Sequence, residues 1–579
     1  MHLVLPLFPL YFLVTKVSAL GPREPFIDIQ LQREPSPLWN ALNVSVEGRL
    51  FAAEPFARSC FQRVGLDVVG TFNQSLCNEV ELKYTDRDQR LATFNGYSNT
   101  AWETCQSTDE GCLLDALDPS NIAATSLPAV CKQGSLPRYY IIVQQAKDVI
   151  EAFKFSLRTG INIAIKNTGH DYSGRSSSPN SLGLWISYNP DFVPNKCKSV
   201  KPTKAVTLGT GVSTGELNSF ADLHNVTVVG PADTSIAFGG GYIQGGGHSA
   251  FSNSLGLASD QALEFDVVTP DGQHRTANAC QNSDLFFALR GGGGSTFGVV
   301  LHVTVKAYPK ISFPVVRTAF PGPASPTAQL ELAKFLIQHG FEWASKGWGG
   351  YVVPSLGVTY VNPFINMSEA AAFMEPFRSL TNAINGTFIL EEETSYFSFY
   401  QKFVAPTSPP IGNPIAIASR LIPADLFKTS SAQGRLSETV ESLIAQNHTT
   451  LFLFAVAPFF FKDDGTSSLN PAWRSAIWHI IATDPWNFDT TKSEYEAIYS
   501  KLHQSSQLLH KLVPNGGTYL NEADLFEQDF EASFWGSNYP RLVAIKKKYD
   551  PNHLLDCWKC VGWRGQRDSR YKCYPQLGL

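Results

Sequence analysis

Twelve residues constrain this chain more than any others: Ile165-Lys166-Asn167-Thr168-Gly169-His170-Asp171-Tyr172-Ser173-Gly174-Arg175-Ser176. Gly, Ser, Thr, Asn and Asp crowded around one imidazole make a poor helix and a poor strand. The stretch therefore reads as a loop whose backbone approaches a ligand closely. It leaves a short alternating strand carried by Ile161, Ile163 and Ile165. Successive small residues free main-chain N–H groups to converge on an anion without a lysine clamp. Two later stretches repeat the theme. Six glycines fall within 239–247, and Gly291-Gly292-Gly293-Gly294 follows. The first of these cannot be a helix interior or a stable central strand.

The surrounding periodicity is that of alternating strands and helices. Residues 139–143 are β-rich; Ala146, Val149, Ile150, Phe153 and Leu157 then keep helical spacing until Gly160, which is placed to end the helix. Strand, helix and strand here have the length of a parallel crossover. The next unit is similar: a strand at 206–212, a helix capped by Thr214 and running to Leu223, a strand at 262–269, a Pro270-Asp271-Gly272 turn, a short helix at 284–290 and a strand at 297–305. After Pro309 the composition becomes aromatic-rich. A helix at 330–343, one strand over 351–361, a helix after Ser368 and β-rich runs at 388–390 and 451–457 predict an α+β region with an antiparallel sheet.

Size and charge bound the partners. The 579 residues exceed one ordinary core, and 43% hydrophobic with 17% charged content is that of a packed globular protein. A net charge of −5 offers no basic face to nucleic acid or an anionic membrane. Residues 1–19 read as a signal peptide, with an apolar run at 3–14 and Val17-Ser18-Ala19 before the cleavage point. No later run is long enough to span a bilayer. Ten cysteines and six Asn-x-Ser/Thr sequons, at Asn43, Asn73, Asn225, Asn366, Asn385 and Asn447, fit a secreted glycoprotein. Cys557-x-x-Cys560 lacks a second pair at ligand spacing, which favours a disulfide over zinc; no other metal site is expected.

Gly245-x-Gly247-x-x-Ala250, with Glu264 and Asp266 beyond it, matches a dinucleotide-binding fingerprint. Against it, Ser252-Asn253-Ser254 and Gly256 are poor material for the long helix that fingerprint requires. Neither Gly-x-x-x-x-Gly-Lys-Ser/Thr nor His-Glu-x-x-His occurs.

Taken together, the 169–176 loop, the glycines of 240–247, the 284–298 stretch, Tyr519-x-Asn521 and Tyr549-Asp550-Pro551 resemble the flavin oxidoreductases of the vanillyl-alcohol oxidase and berberine-bridge-enzyme superfamily. The likeness is strongest to their secreted fungal, isoamyl-alcohol-oxidase-like branch. It covers 133–312 strongly and 515–565 well, and the middle only in character. The resemblance implies an α+β chain: an N-terminal disulfide-stabilised segment (20–132), a two-subdomain PCMH-type FAD-binding domain (133–312), a substrate domain whose antiparallel sheet is covered by helices (313–515), and a C-terminal segment returning to the FAD-binding domain (516–579).

It further implies FAD bonded covalently through His170. Lys166, Asn167, Thr168, Gly169, Asp171, Ser173 and Gly174 would surround the diphosphate, and Thr234, Gly240, Gly241, Gly245, Gly246, Val299 and Asn521 would complete the cofactor site. Many relatives add a cysteine bond from the second loop. Here 226–247 contains no cysteine, with Gly230 or Thr234 nearest in position, so a single histidyl linkage is expected. The implied activity is oxidation of an alcohol or related carbon centre of a small molecule, with O2 as acceptor. A carbohydrate oxidase and a non-catalytic flavin-binding glycoprotein are the alternatives. For the base, Tyr172, Tyr396 and Tyr400 are candidates by type and region, beside Tyr242, His479 and Glu391-Glu392-Glu393, the last of which reads better as an ordinary strand.

Overall fold

The computed structural model describes residues 37–65, 68–69, 72–186, 204–407 and 410–577. The leader expected at 1–19 and Cys197 lie outside them. Two small sheets frame the glycine loops. In the first, strands Tyr139–Val143, Leu182–Ile186 and Ile163–Lys166 run parallel in that spatial order, with Leu50–Ala52 antiparallel at one edge. The crossover helix is Ala146–Thr159, closed by Gly160 in the left-handed conformation at φ 70°. Its apolar stripe of Val149, Ala152 and Phe153 packs beneath Leu182, Leu184 and Ile186.

The helix therefore skips a strand. Leu182–Ile186, absent from the sequence reading, inserts between the two expected strands. Its Gly183 is required by packing, since a Cβ there would lie 2.5 Å from the Phe94 ring.

The second sheet is antiparallel, ordered His274–Asn278, Ala262–Val268, Val299–Lys306 and Ala205–Gly209. A dinucleotide fold needs parallel strands here, and the long helix it also needs is replaced by the four-residue turns Ser252–Leu255 and Ala258–Gln261. Asp266 is held by His274 and His302 at 2.6 and 3.0 Å, and Glu264 by Asn278 at 2.7 Å, so neither side chain is presented to a ribose. The helix Thr214–Leu223 is capped one residue earlier than expected. Ser213 accepts from the Glu216 N–H while Glu216 accepts from the Ser213 N–H, a reciprocal box that Thr214 cannot form.

Beyond residue 312, sheet Gly349–Val353, Gly357–Val361, Phe313–Ala319, Thr387–Glu393 meets sheet Ile415–Pro423, Ala476–Pro485, Thr450–Phe454 through a two-bond bridge between Gly350 and Ala455. The single strand expected over 351–361 is a hairpin, broken where Pro354 removes a donor and Gly357 takes φ 143°. Helices Pro326–Ser345, Met367–Ala383, Ser430–Ala445 and Lys492–Leu512 contribute Leu336, Phe377, Leu436 and Leu502 to the core beneath this layer. The tail then turns back to the first half: Trp535 donates to the Gly291 carbonyl, Lys546 to that of Thr296, and Tyr574 to that of Ser173. Among the described residues, no helix is long and apolar enough to cross a membrane. Disulfides join Cys60–Cys77, Cys112–Cys131, Cys557–Cys560 and, across 468 residues, Cys105–Cys573.

Candidate active site

The parallel strand Ile163–Lys166 delivers the chain into the His170 loop at its carboxyl end, where parallel sheets place their ligands. The loop rests on the N-terminal segment. The carbonyl of Gly169 accepts from Ser98 and Asn99, that of Tyr172 from the Trp102 indole, and that of Ser176 from Tyr97. Gly169 and Gly174 both have positive φ, and a Cβ on either would strike the Tyr97 or the Trp102 ring. These two glycines answer to the packing below the loop. Lys166, fully buried, turns its ammonium to the Thr93 and Asn167 carbonyls and over the Tyr97 ring. Asp171 is clamped by Arg175, which donates to it from backbone and guanidinium.

Above the loop the main chain is open. Among the described residues, none of the backbone N–H groups of 168–173 finds a protein acceptor. The His170 imidazole places Nε2 2.8 Å from Ser235 Oγ, and Ser235 donates its one hydroxyl proton to Asp233 Oδ1 at 2.7 Å. Arg87 pairs with the other Asp233 oxygen. Since Ser235 can only accept toward His170, Nε2 carries the ring proton and Nδ1 keeps its lone pair. Burial pushes the imidazole down to about 4, only partly offset by Asp233, so it is neutral at ordinary pH.

The second loop forms the floor. Cβ atoms on Gly240 and Gly245 would strike Asn167 Nδ2 and Asn521 Nδ2 at 2.8 and 2.6 Å, whereas one on Gly241 would meet nothing within 4 Å. Gly241 is exposed in an otherwise buried stretch. Asn521 Nδ2 donates to its carbonyl at 2.9 Å and to Tyr519 at 2.7 Å, while Arg175 donates to Asn521 Oδ1 at 3.0 Å. The His170 loop, the glycine floor and the tail are thus one bonded unit. Gly246 has φ 133° against Leu469 and Tyr519, and Val299 opens its strand opposite Val268 with its side chain in the core. Thr234 faces Gly215, and its flanking residues Asp233 and Ser235 are the ones that reach the imidazole.

Beside Asn521, Glu522 holds a second cluster. Its carboxylate lies 3.1 and 3.3 Å from His248 Nε2, and 3.4 Å from His479 Nδ1. Phe454, Trp473 and Tyr519 stand edge-on or tilted to these imidazoles with centroids 5.5–6.1 Å apart. Burial pushes His479 down to about 3; burial also opposes ionisation of Glu522, yet the two imidazoles hold it below the usual carboxylate value. Tyr172 is raised by burial and then by the charges of Glu522 and Asp233, so its phenol feels both clusters.

The other candidate bases are otherwise engaged. Tyr396 donates to the Gly230 carbonyl at 2.9 Å and, with Tyr400, packs among Phe251, Phe313 and Phe399. Tyr242 donates to the His248 carbonyl. Glu391 and Glu393, on the strand Thr387–Glu393, pair with Lys402. Arg87, Asp233, Ser235, His248 and Glu522 were not singled out from sequence as site residues, although Asp233 and Ser235 flank Thr234, His248 follows the second glycine cluster and Glu522 follows Asn521.

A neutral imidazole with a free lone pair, a run of unpaired amides and a floor that a single Cβ would fill match the donor set and shape that a flavin dinucleotide needs. The comparisons agree. The family described as FAD binding domain matches residues 137–278, and that described as berberine and berberine like matches 518–557. The FAD-linked oxidoreductase ffsJ of Aspergillus flavipes is 36% identical over 571 residues, covering 91% of this chain and 92% of that protein. The FAD-linked oxidoreductase OXR2 of Pyricularia oryzae is 36% identical over 555 residues, covering 92% and 94%. The crystal structure of the VAO-type flavoprotein MtVAO713 from Myceliophthora thermophila C1 superposes with a TM-score of 0.80 at 27% identity, covering 92% of this chain and 95% of that one. With its fold, its glycine-lined floor and its tail all accounted for, the chain belongs to the FAD-linked oxidoreductases, enzymes of the VAO and berberine-bridge-like fold.

Proposed function

We propose that the protein is a secreted oxidase that carries FAD on His170 and oxidises an alcohol or related carbon centre of a small molecule, with oxygen as final acceptor. One observation carries this reading: the Asp233–Ser235–His170 hydrogen-bond chain leaves a neutral imidazole with Nδ1 free to form the tether. The 168–173 amides would hold the diphosphate, and Gly240, Gly241, Gly245 and Asn521 would seat the remainder. When bound, FAD supplies the two-electron acceptor. Phe454, Trp473, Tyr519 and Tyr351 pack around the adjacent His248–His479 pair and give it apolar surroundings that favour a carbon skeleton over ions. The disulfides support an oxidising compartment, and five sequon asparagines, all but half-buried Asn43, are exposed to a glycosylating enzyme.

Protein secreted from a eukaryotic host tests the reading. It should be yellow, keep its colour through acid precipitation, and yield a His170 peptide heavier by one flavin. Anaerobic addition of aliphatic, benzylic and polyketide-type alcohols, with oligosaccharides as a separate arm, should bleach the flavin band near ~450 nm for at least one alcohol, and air should return peroxide. The Ser235→Ala variant should bind flavin but release it in acid, because the ring tautomer is no longer set. A colourless protein, or an unmodified His170 peptide from yellow protein, would overturn the tether.

A further inference from the structure

Resting on the oxidase reading above, we propose that His479 is the base that takes the substrate's hydroxyl proton, oriented by Glu522, which His248 holds in place. His479 stands on the central strand Ala476–Pro485 and is fully buried, and neither of its ring nitrogens has a hydrogen-bond partner among the described residues. An unpartnered imidazole in a packed interior is costly and calls for a function or a ligand. The two nitrogens are not equivalent. Nδ1 faces Glu522 Oε2 at 3.4 Å, the side on which a ring proton is favoured, so the lone pair sits on Nε2 with nothing to accept from.

Glu522 is fixed from its other side by His248 Nε2, and Tyr519, Tyr172 and Tyr242 are further titratable groups that feel its charge. A carboxylate behind one nitrogen and an empty acceptor on the other is the arrangement of an oriented general base. Its location suits the role. Glu522 directly follows Asn521, which binds the open Gly241 floor, and Phe454, Trp473 and Tyr519 surround the two imidazoles with apolar rings.

In the step proposed, the O–H bond of the alcohol breaks and its proton goes to His479 Nε2. The electron pair left on oxygen becomes the second C=O bond as the C–H hydride departs to FAD. The substrate loses two electrons and the cofactor gains two. Glu522 compensates the imidazolium charge that develops. His248, Glu522 and His479 also place three ligand atoms within 4.8 Å of one another, which a divalent metal could bridge. The base reading is preferred because the cluster meets His479 on its Nδ1 side, so a bridging metal would leave the buried Nε2 still without a partner.

Secreted holoprotein and its His479→Gln, Glu522→Gln and Glu522→Asp variants test the proposal, with flavin content and melting temperature confirming each fold. With an alcohol that bleaches the wild type, H479Q should bleach about 10²–10⁴-fold more slowly. E522Q should slow similarly, and E522D should recover part of the rate. Independently of any substrate, E522Q should raise the flavin midpoint potential, since the proposal places Glu522 near the ring, where a negative charge disfavours reduction; a carboxylate remote from the ring would leave it unmoved. If H479Q fails to secrete, the E522Q and E522D pair reads the same proposal. H479Q bleaching at the wild-type rate overturns this proposal alone, as does an unshifted potential in E522Q. One equivalent of a divalent metal in the wild type, lost in H479Q, overturns it in favour of a metal centre. A yellow wild type that no alcohol bleaches overturns the oxidase reading and this one with it.

Discussion

A methyl group at Gly241 would meet open space, whereas one at Gly174 would strike the Trp102 indole in a backbone held at φ 72°. The two glycines thus have different reasons to exist, and substitution separates them. Gly241→Ala should leave the melting temperature of the flavin-free protein unchanged while reducing flavin content, because its Cβ fills the floor. Gly174→Ala should lower the melting temperature whether or not flavin is bound, since both backbone strain and overpacking act. Equal melting losses in both variants would contradict the assignment of the floor. The buried imidazoles make a second prediction at this scale. His170 and His479 are pushed down to about 4 and about 3, both below the 6.5 of an unfolded chain. Between those values and 6.5 the unfolded chain binds protons that the native state refuses. Their contribution to stability is therefore full above 6.5 and declines as pH falls through that window. Denaturant titrations of flavin-free protein from pH 7 to 4 should show this decline, and H479Q should shallow it by up to about 1.4 kcal/mol per pH unit, the slope of one proton.

Elements differed in how openly the sequence announced them. The helix Ala146–Thr159 was readable because its apolar stripe repeats at helical spacing and Gly160 marks its end. The strand Leu182–Ile186 was not. Five residues buried on both faces show no alternation, and the glycine at its second position lowers strand propensity for a reason visible only in three dimensions, the Phe94 ring. Asp233, Ser235 and Arg87 gather around His170 from 63 and 65 residues downstream and from the N-terminal segment between Leu50–Ala52 and Tyr139–Val143, so no local pattern could pair them. Asn521 was readable because its neighbours form a short motif, yet Glu522 one position later waited on the strand that carries His479. The cap of Thr214–Leu223 was misplaced by one residue because Ser213 and Thr214 are both good caps and only Ser213 has its acidic partner three positions on. That helix carries the Asp233 loop through paired bonds from Thr214 and Gly215 to the carbonyls of Ile236 and Thr234. Ser213→Ala should cost about 1 kcal/mol in denaturant unfolding and slow flavin attachment. A destabilised variant with attachment at the wild-type rate would show that the helix supports the fold without setting the imidazole.

Across the whole molecule, the N-terminal segment and the tail are fastened together beneath the site. Cys105–Cys573 closes a loop of 468 residues, and beside it Trp102 and Tyr574 lie with ring centroids 4.7 Å apart, donating to the carbonyls of Tyr172 and Ser173. The same core cluster contains Tyr97 and Trp102 from the N-terminal segment, Trp348 and Trp478 from the sheet layer, and Trp558 and Tyr571 from the tail. The His170 loop is therefore supported from below by two segments, one N-terminal and one from the tail, that one covalent bond keeps together. Removing that bond, as Cys105→Ser with Cys573→Ser, frees a very long loop in the unfolded state and should cost about 2–5 kcal/mol. Cys557–Cys560 spans three residues, so its removal constrains the unfolded chain far less and serves as the contrast. Because the tethered carbonyls belong to the loop that carries His170, the first double variant should also lose flavin attachment at temperatures below its own unfolding, whereas the second should not. Flavin content and melting temperature measured on both proteins decide the matter: parallel losses in the two variants, or none in the first, would mean that the tail's hydrogen bonds hold the loop without the bridge.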